Sequence, residues 1–298
     1  MIKVYESVTA SVTNTLALTK YLFLIVYSKE IFNFINEVQD INKNCTSKDH
    51  VEVINKANRL DRIVFKCMFV SCLIGTTGYV LGPVIKMIIT VVVFKGPWNY
   101  EMIVNFYKPS NFGSYLLNYL IQILDCILGG FVNVAVDTIF FGLSINICAH
   151  LKILSLITDD CKLLIFVNYH QSVLEMASKL KKLYKVIIFL QYMLLSILLC
   201  VLAFPIVYND DILKTIPHIF HAVAGIVEML IYSYCGQTIM DRAADICKNC
   251  YESDMMMVML RTKYEVRIES MFYHASLPTF TLMVSRTMSL MTLMKSFL

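Results

Sequence analysis

Charge is scarce in this chain. Of its 298 residues only 16% are charged, against about 25% in soluble globular proteins, so the ionic surface needed to coat a water-soluble fold is missing. Glycine and proline are few, 10 and 6, which excludes a collagen-like fibre or a long linker. The excess of basic residues is small, a net +4, and implies no nucleic-acid partner. Catalytic signatures are absent as well: there is no GxSxG, HExxH or GxGxxG, and the six histidines lie scattered as His50, His150, His170, His218, His221 and His274. Among ten cysteines the single CxxC, Cys247 to Cys250, has neither a second pair nor a suitably spaced histidine. The expectation is a chain that is not an enzyme and carries no metal or organic cofactor.

What is present is apolar. Hydrophobic residues make up 57% of the chain, with 18 Phe and 17 Tyr, which excludes disorder. The reading is an all-α integral membrane protein, a single receptor-sized domain over 1–298. Its six predicted spans are 7–27, 63–94, 115–149, 186–207, 216–235 and 272–293. The first holds Lys20 among Ser and Thr, and the last holds Arg286 and a run of hydroxyls. Polar side chains facing lipid are costly, so both are expected inside a bundle. From Tyr115 to Leu154 the third apolar stretch spans about 60 Å if it is one helix, twice a hydrocarbon core of about 30 Å. It must then project into the cytoplasm, where the basic helical stretch Val173 to Tyr184 can pack beside it.

Orientation follows from Lys and Arg near the span ends. They concentrate in 28–62, 150–185 and 238–270, while the alternate loops hold only Lys95 and Lys108, and Lys214. The three rich loops are therefore expected in the cytoplasm and the C-terminus outside. The stretch Leu16 to Tyr27 has the length of a signal-peptide core, but Thr and Asn dilute its front, no small-x-small site follows, and Lys29 and Glu30 come at once. An outside N-terminus without a cleaved signal suggests one further upstream helix. The sequon Asn44, Cys45, Thr46 lies in a loop expected to be cytoplasmic.

Three acids, Asp125, Asp137 and Glu228, fall inside predicted spans. Intramembrane carboxylates either bond to a neighbouring helix, stay protonated, or serve proton coupling. Asp125 and Asp137 are about 18 Å apart along one helix and cannot form one site within it. His218 and His221 share a helix face, without a third metal ligand nearby in sequence. In the last span, Thr281, Ser285, Ser289, Thr292 and Ser296 fall at about 0, 40, 80, 20 and 60° at 100° per residue. Such a stripe either faces water in a pore or packs against another helix; Arg286 on its flank favours water. Tyr79, Tyr115, Tyr119 and Phe220 lie in the outer halves of spans, where they line an apolar pocket or form an interfacial belt.

Several stretches carry a resemblance. Tyr232, Ser233, Tyr234, Cys235, Gly236 and Gln237, continuing to Tyr251 through Asp254, resemble the junction where the penultimate span of insect odorant receptors leaves the membrane. Thr279 and Phe280 through Lys295 resemble their final helix, and Asp137, Phe140, Phe141, Cys148 and His150 their long central span. His170 and Gln171 fit as well. The resemblance covers nearly the whole chain, beginning at that family's second span. Met288 and Met255 depart from its usual aromatics, which admits a non-functional truncated copy; gustatory-type chemoreceptors are the alternative branch, disfavoured by Met288 and Lys295.

The resemblance implies a subunit of a ligand-gated cation channel in the plasma membrane, a heterotetramer with an odorant co-receptor. A small hydrophobic odorant would sit among the outer halves of the first, second, third and fifth spans, with Tyr79, Tyr115, Tyr119 and His221 as ligand contacts. Ser285, Ser289, Thr292 and Ser296 would line the pore, and Asp137, Gly236 and Gln237 would have structural or coupling roles.

Overall fold

The computed structural model describes residues 2–93, 95, 102–103, 111–157, 163–208, 212–252, 268 and 274–296. Phe94, Lys108, Phe272, Asp254 and Met255 lie outside the described residues, as do the side chains of Cys247, Cys250, Leu290, Leu293, Lys295 and Ser296. The protein is all-α. Its helices are α1 (Ile2–Asn44), α2 (Lys48–Val92), α3 (Phe112–Ile157), α4 (Leu163–Tyr208), α5 (Ile212–Glu252) and α6 (Leu277–Ser296).

The first five helices are apolar and long enough to cross a membrane. Each is also far longer than a crossing requires. With 41 to 46 residues, they extend more than 60 Å at about 1.5 Å per residue. The projection expected of the third apolar stretch alone is thus shared by all five, and most of what reads as basic loop in 28–62 and 150–185 is helix. Residues 45–47 suffice to turn α1 into α2.

Burial divides the molecule in two. At the end formed by the second halves of α1, α3 and α5 and the first half of α4, the helices bury a continuous core that includes Phe34, Val38, Phe140, Ile147, Leu151, Met176, Leu180, Tyr184 and Ile239. Charged groups surround it, and Lys179 donates to both oxygens of Glu37 at 2.7 Å. At the other end the helices present apolar side chains outward: Leu18, Leu22 and Val26 on α1, Ile74, Ile85 and Val92 on α2, and Leu117, Leu124 and Leu128 on α3 are exposed. A half that sits in lipid gains little by hiding leucine, whereas a half in water must. The pattern describes a membrane bundle continuing into a water-facing helical layer.

Buried polar pairs fasten that layer. Asn42 donates to Asn146 at 3.1 Å, the His150 ring nitrogen Nδ1 lies 2.7 Å from the Tyr169 hydroxyl, and the rings of Phe166 and His170 stack. The short helix α6 packs on α4 and α5. Its start is fixed locally: Ser276 acts as N-cap, its hydroxyl accepting from the Thr279 amide at 3.4 Å. Pro278 in the first turn costs no hydrogen bond.

Candidate functional site

Lys20 fixes the centre of the half whose apolar side chains face outward. A lysine in a lipid-facing span is expensive, and in the folded chain its ammonium is turned inward, where it donates to Asp137 of α3 at 2.6 Å and to Glu228 of α5. The Tyr232 hydroxyl, one turn beyond Glu228, donates to the same Asp137 oxygen at 2.7 Å. Deeper still, Tyr192 of α4 and Ser233 share a hydrogen bond at 2.5 Å. Three charges and a phenol thus join α1, α3 and α5 through one buried knot. Of the two intramembrane acids here, each is bonded to a neighbouring helix.

Two turns outward, Thr13 of α1 lies 3.5 Å from Nε2 of His221 on α5, and Asn14 donates to Asp125 of α3 at 2.9 Å. Thr13 and His221 form a polar column between α1 and α5, with the Lys20 cluster as its floor, while the Asn14–Asp125 pair is exposed and ties α1 to α3 on the outside of the bundle. His221 belongs to this column. Tyr115 and Tyr119 do not: their stacked rings pack with Met102, Val84, Ile103 and Ile123 in a separate cluster between α2 and α3. The Tyr119 hydroxyl donates to the carbonyl of Val80, in the turn of α2 that Pro83 disturbs by lacking an amide hydrogen. Tyr79 is half exposed on α2 beside this cluster.

Gly236 lies where α5 crosses the root of α6. A Cβ there would come within 2.0 Å of the Ala275 carbonyl oxygen, so only glycine lets the backbones approach this closely. Its neighbour Gln237 donates to Asp241 at 2.7 Å on the same helix.

On α6 the described side chains divide cleanly. Phe280, Met283, Val284 and Thr287 are buried or partly buried, while Thr281, Ser285, Ser289 and Thr292 are exposed, as are Leu282, Arg286 and Met288. At 100° per residue the exposed positions cover an arc of about 160°, and the hydroxyls occupy its middle. The hydroxyls of Thr281, Ser289 and Thr292 bond to carbonyls of their own helix. They therefore stand on a surface turned away from the other described residues.

The sequence reading missed Lys20 as the partner of the acids, Tyr232 as their donor, and Asn14 as the partner of Asp125. A signal was there to find. Thr13 and Lys20 on α1, and His221, Glu228 and Tyr232 on α5, each fall within a stripe about 40° wide at 100° per residue. Such stripes mark the faces that two apolar helices turn toward one another.

Comparison with known proteins places this arrangement. The sequence matches the family 7tm Odorant receptor over residues 1–288. Odorant receptor 45a of Drosophila melanogaster is 23% identical over an alignment covering 93% of this chain and 79% of that receptor. For Odorant receptor 82a of the same organism the identity is also 23%, over 99% of this chain and 85% of the relative. The solved structure of the insect olfactory receptor OR5 from Machilis hrabei shares the fold, with a TM-score of 0.83 at 12% identity over 97% of this chain and 80% of that one. The same receptor in complex with eugenol gives 0.85 at 12% identity, over 99% and 82%. The described helices, long past the membrane at one end and tied by polar residues at the other, are those of a multi-pass membrane protein, and its relatives are receptors rather than enzymes: the chain belongs to the 7tm odorant receptor family.

Proposed function

We propose that this chain is one subunit of an odorant-gated cation channel, assembled with a co-receptor into a heterotetramer in the plasma membrane. The observation that carries the proposal is the hydroxyl face of α6. Within one subunit that face covers nothing and is covered by nothing among the described residues. A polar face on a membrane helix needs water or another subunit, and a pore at the axis of a tetramer supplies both. Ligand recognition belongs to the outer column, with His221 at its wall, and Tyr115 and Tyr119 hold α2 to α3 beside it. The Machilis receptor of the same fold binds eugenol, a small, largely apolar molecule, and a ligand of that class suits the column here. Binding acts as a population shift, the ligand favouring the open arrangement.

The test is electrical. Co-expressed with a co-receptor, the chain is expected to give odorant-evoked cation currents, and Ser289→Leu is expected to lower conductance severalfold or alter ion selectivity while surface delivery stays normal. Unchanged permeation in Ser289→Leu and Thr292→Leu returns the stripe to a packing role.

The proposed orientation puts 28–62, 150–185 and 238–270 in the cytoplasm and the C-terminus outside. Asn44 is exposed at the end of α1, so its sequon is sterically open and only the membrane keeps it from the glycosylation machinery. Glycosidase treatment is expected to leave the mobility of the expressed chain unchanged. A shift abolished by Asn44→Gln inverts the topology.

A further inference from the structure

The buried knot does not balance its charge. Lys20 supplies one positive charge against the two carboxylates of Asp137 and Glu228, so the ionised set carries one negative charge in excess within a span, where uncompensated charge is costly. The three groups also differ in access. The side chains of Lys20 and Asp137 are 1% and 3% exposed, that of Glu228 is 17% exposed. Of the three, Glu228 is the one that a molecule entering the column reaches.

A second observation points to the same place. Gln191 of α4 is 1% exposed and its amide faces the Glu228 carboxylate, yet neither amide atom completes a hydrogen bond of ordinary geometry among the described residues. A buried polar group left unmatched forfeits the hydrogen bonds that water gave it. A ligand head that satisfies both groups must be positive and must donate to a carboxylate and to an amide oxygen. An ammonium has three donors and no acceptor: it answers the carboxylate and the amide oxygen, and leaves the amide nitrogen to the Glu228 carboxylate that it faces. A hydroxyl head satisfies the amide but leaves the charge, and a carboxylate head adds to the excess.

We propose that Glu228 and Gln191 bind the ammonium head of a small aliphatic amine, whose tail runs outward along the α1–α5 seam toward Thr13 and His221. These two stand seven residues before Lys20 and Glu228, about 10 Å along the helices, a length that suits a short alkyl chain. The inference rests on the odorant-receptor reading and gives that ligand site a chemical class.

The experiment uses the purified full chain in detergent and three matched probes: hexylamine, hexan-1-ol and hexanoate. Thermal unfolding is expected to shift upward with hexylamine at concentrations at least tenfold below those at which hexan-1-ol acts, with no effect of hexanoate. Glu228→Gln is expected to erase that tenfold preference, and Gln191→Leu to reduce it. Equal action of hexylamine and hexan-1-ol on the wild-type chain means that a proton held by the two carboxyl groups already neutralises the cluster, and overturns the proposal, whether or not either variant folds. A preference that survives intact in a folded Glu228→Gln or Gln191→Leu chain overturns it too. Currents separate this from the broader reading: neutral volatiles that gate the channel without any amine preference sink the amine site alone. Amine binding with no volatile-evoked current under any co-receptor sinks the channel reading and leaves the site.

Discussion

Alanine at Gly236 is expected to abolish the odorant response or the delivery of the receptor to the surface, a severe result for the addition of one methyl group. The added carbon would lie 2.0 Å from the Ala275 carbonyl oxygen and 2.8 Å from that carbonyl carbon and from the Ala275 side chain. Two of these three atoms are backbone, and backbone does not rotate out of the way. Ala275 is itself held, its amide donating to the Ile268 carbonyl at 3.0 Å, so the clash has to part α5 from the root of α6. Ordinary overpacking costs about 1–3 kcal/mol, and this contact lies at or above the top of that range. Other glycines give the comparison. At Gly142 the new atom meets the carboxylate of Asp61 at 2.9 Å, the far end of a side chain, and Gly142→Ala should be tolerated with modest loss. Gly75, Gly78 and Gly82 have nothing within 4 Å, and alanine there should be neutral or slightly stabilising, by up to about 1 kcal/mol. Surface labelling with odorant-evoked current, measured on all five variants, checks the order.

Methionine at Lys20 is expected to be the most damaging polar-to-apolar change in the chain. It conserves much of the side-chain volume yet leaves Asp137 and Glu228 without their shared cation. Breaking a buried ion pair by removing one partner costs about 3–5 kcal/mol, because an uncompensated charge stays behind. Glu228→Gln leaves Lys20 and Asp137 one to one, and should be much milder. The sign of the asymmetry is informative in itself, since two substitutions at one contact then differ according to which charge remains. Combining Lys20→Met with Asp137→Asn is expected to recover a substantial part of the loss, a coupling that a double-mutant cycle measures. Thermal unfolding of the purified variants decides it; equal damage from Lys20→Met and Glu228→Gln, with no recovery in the double variant, means that the residue matters only for its packing.

The sequence discloses a good deal of this and hides a specific remainder. Apolar runs and their basic flanks reveal the helices and the membrane, since hydropathy is a property of each segment alone. Hydroxyls spaced along α6 reveal its exposed face for the same reason. The knot is different. Lys20 reads as a blemish in the first span, and Asp137 and Glu228 as acids in need of unnamed neighbours. Their pairing joins residues 117 and 208 positions apart, and depends on how three helices rotate and tilt against each other. No single segment records that. Tyr115 and Tyr119 show the same limit: hydropathy gives their place along α3, but not that their rings pack toward α2 or that the Tyr119 hydroxyl donates to the turn beside Pro83. Hydropathy understates helix length because the water-facing ends carry enough charge to look like loops, while their apolar residues fill the inner core.

Glu228, at the floor of the polar column, and Gly236, in backbone contact with Ala275, lie on the same uninterrupted helix, with neither proline nor glycine among the seven residues between them. At about 1.5 Å per residue that is some 12 Å of stiff rod. A rod does not absorb displacement along its length: whatever tilt or slide a guest imposes at one end arrives at the other at nearly full size. Because the far end meets its neighbour atom against atom, with no cushioning side chain, the root of α6 has to follow. Sensitivity in this receptor would then be limited by how firmly the guest grips the rod, and hardly at all by slack in the transmission.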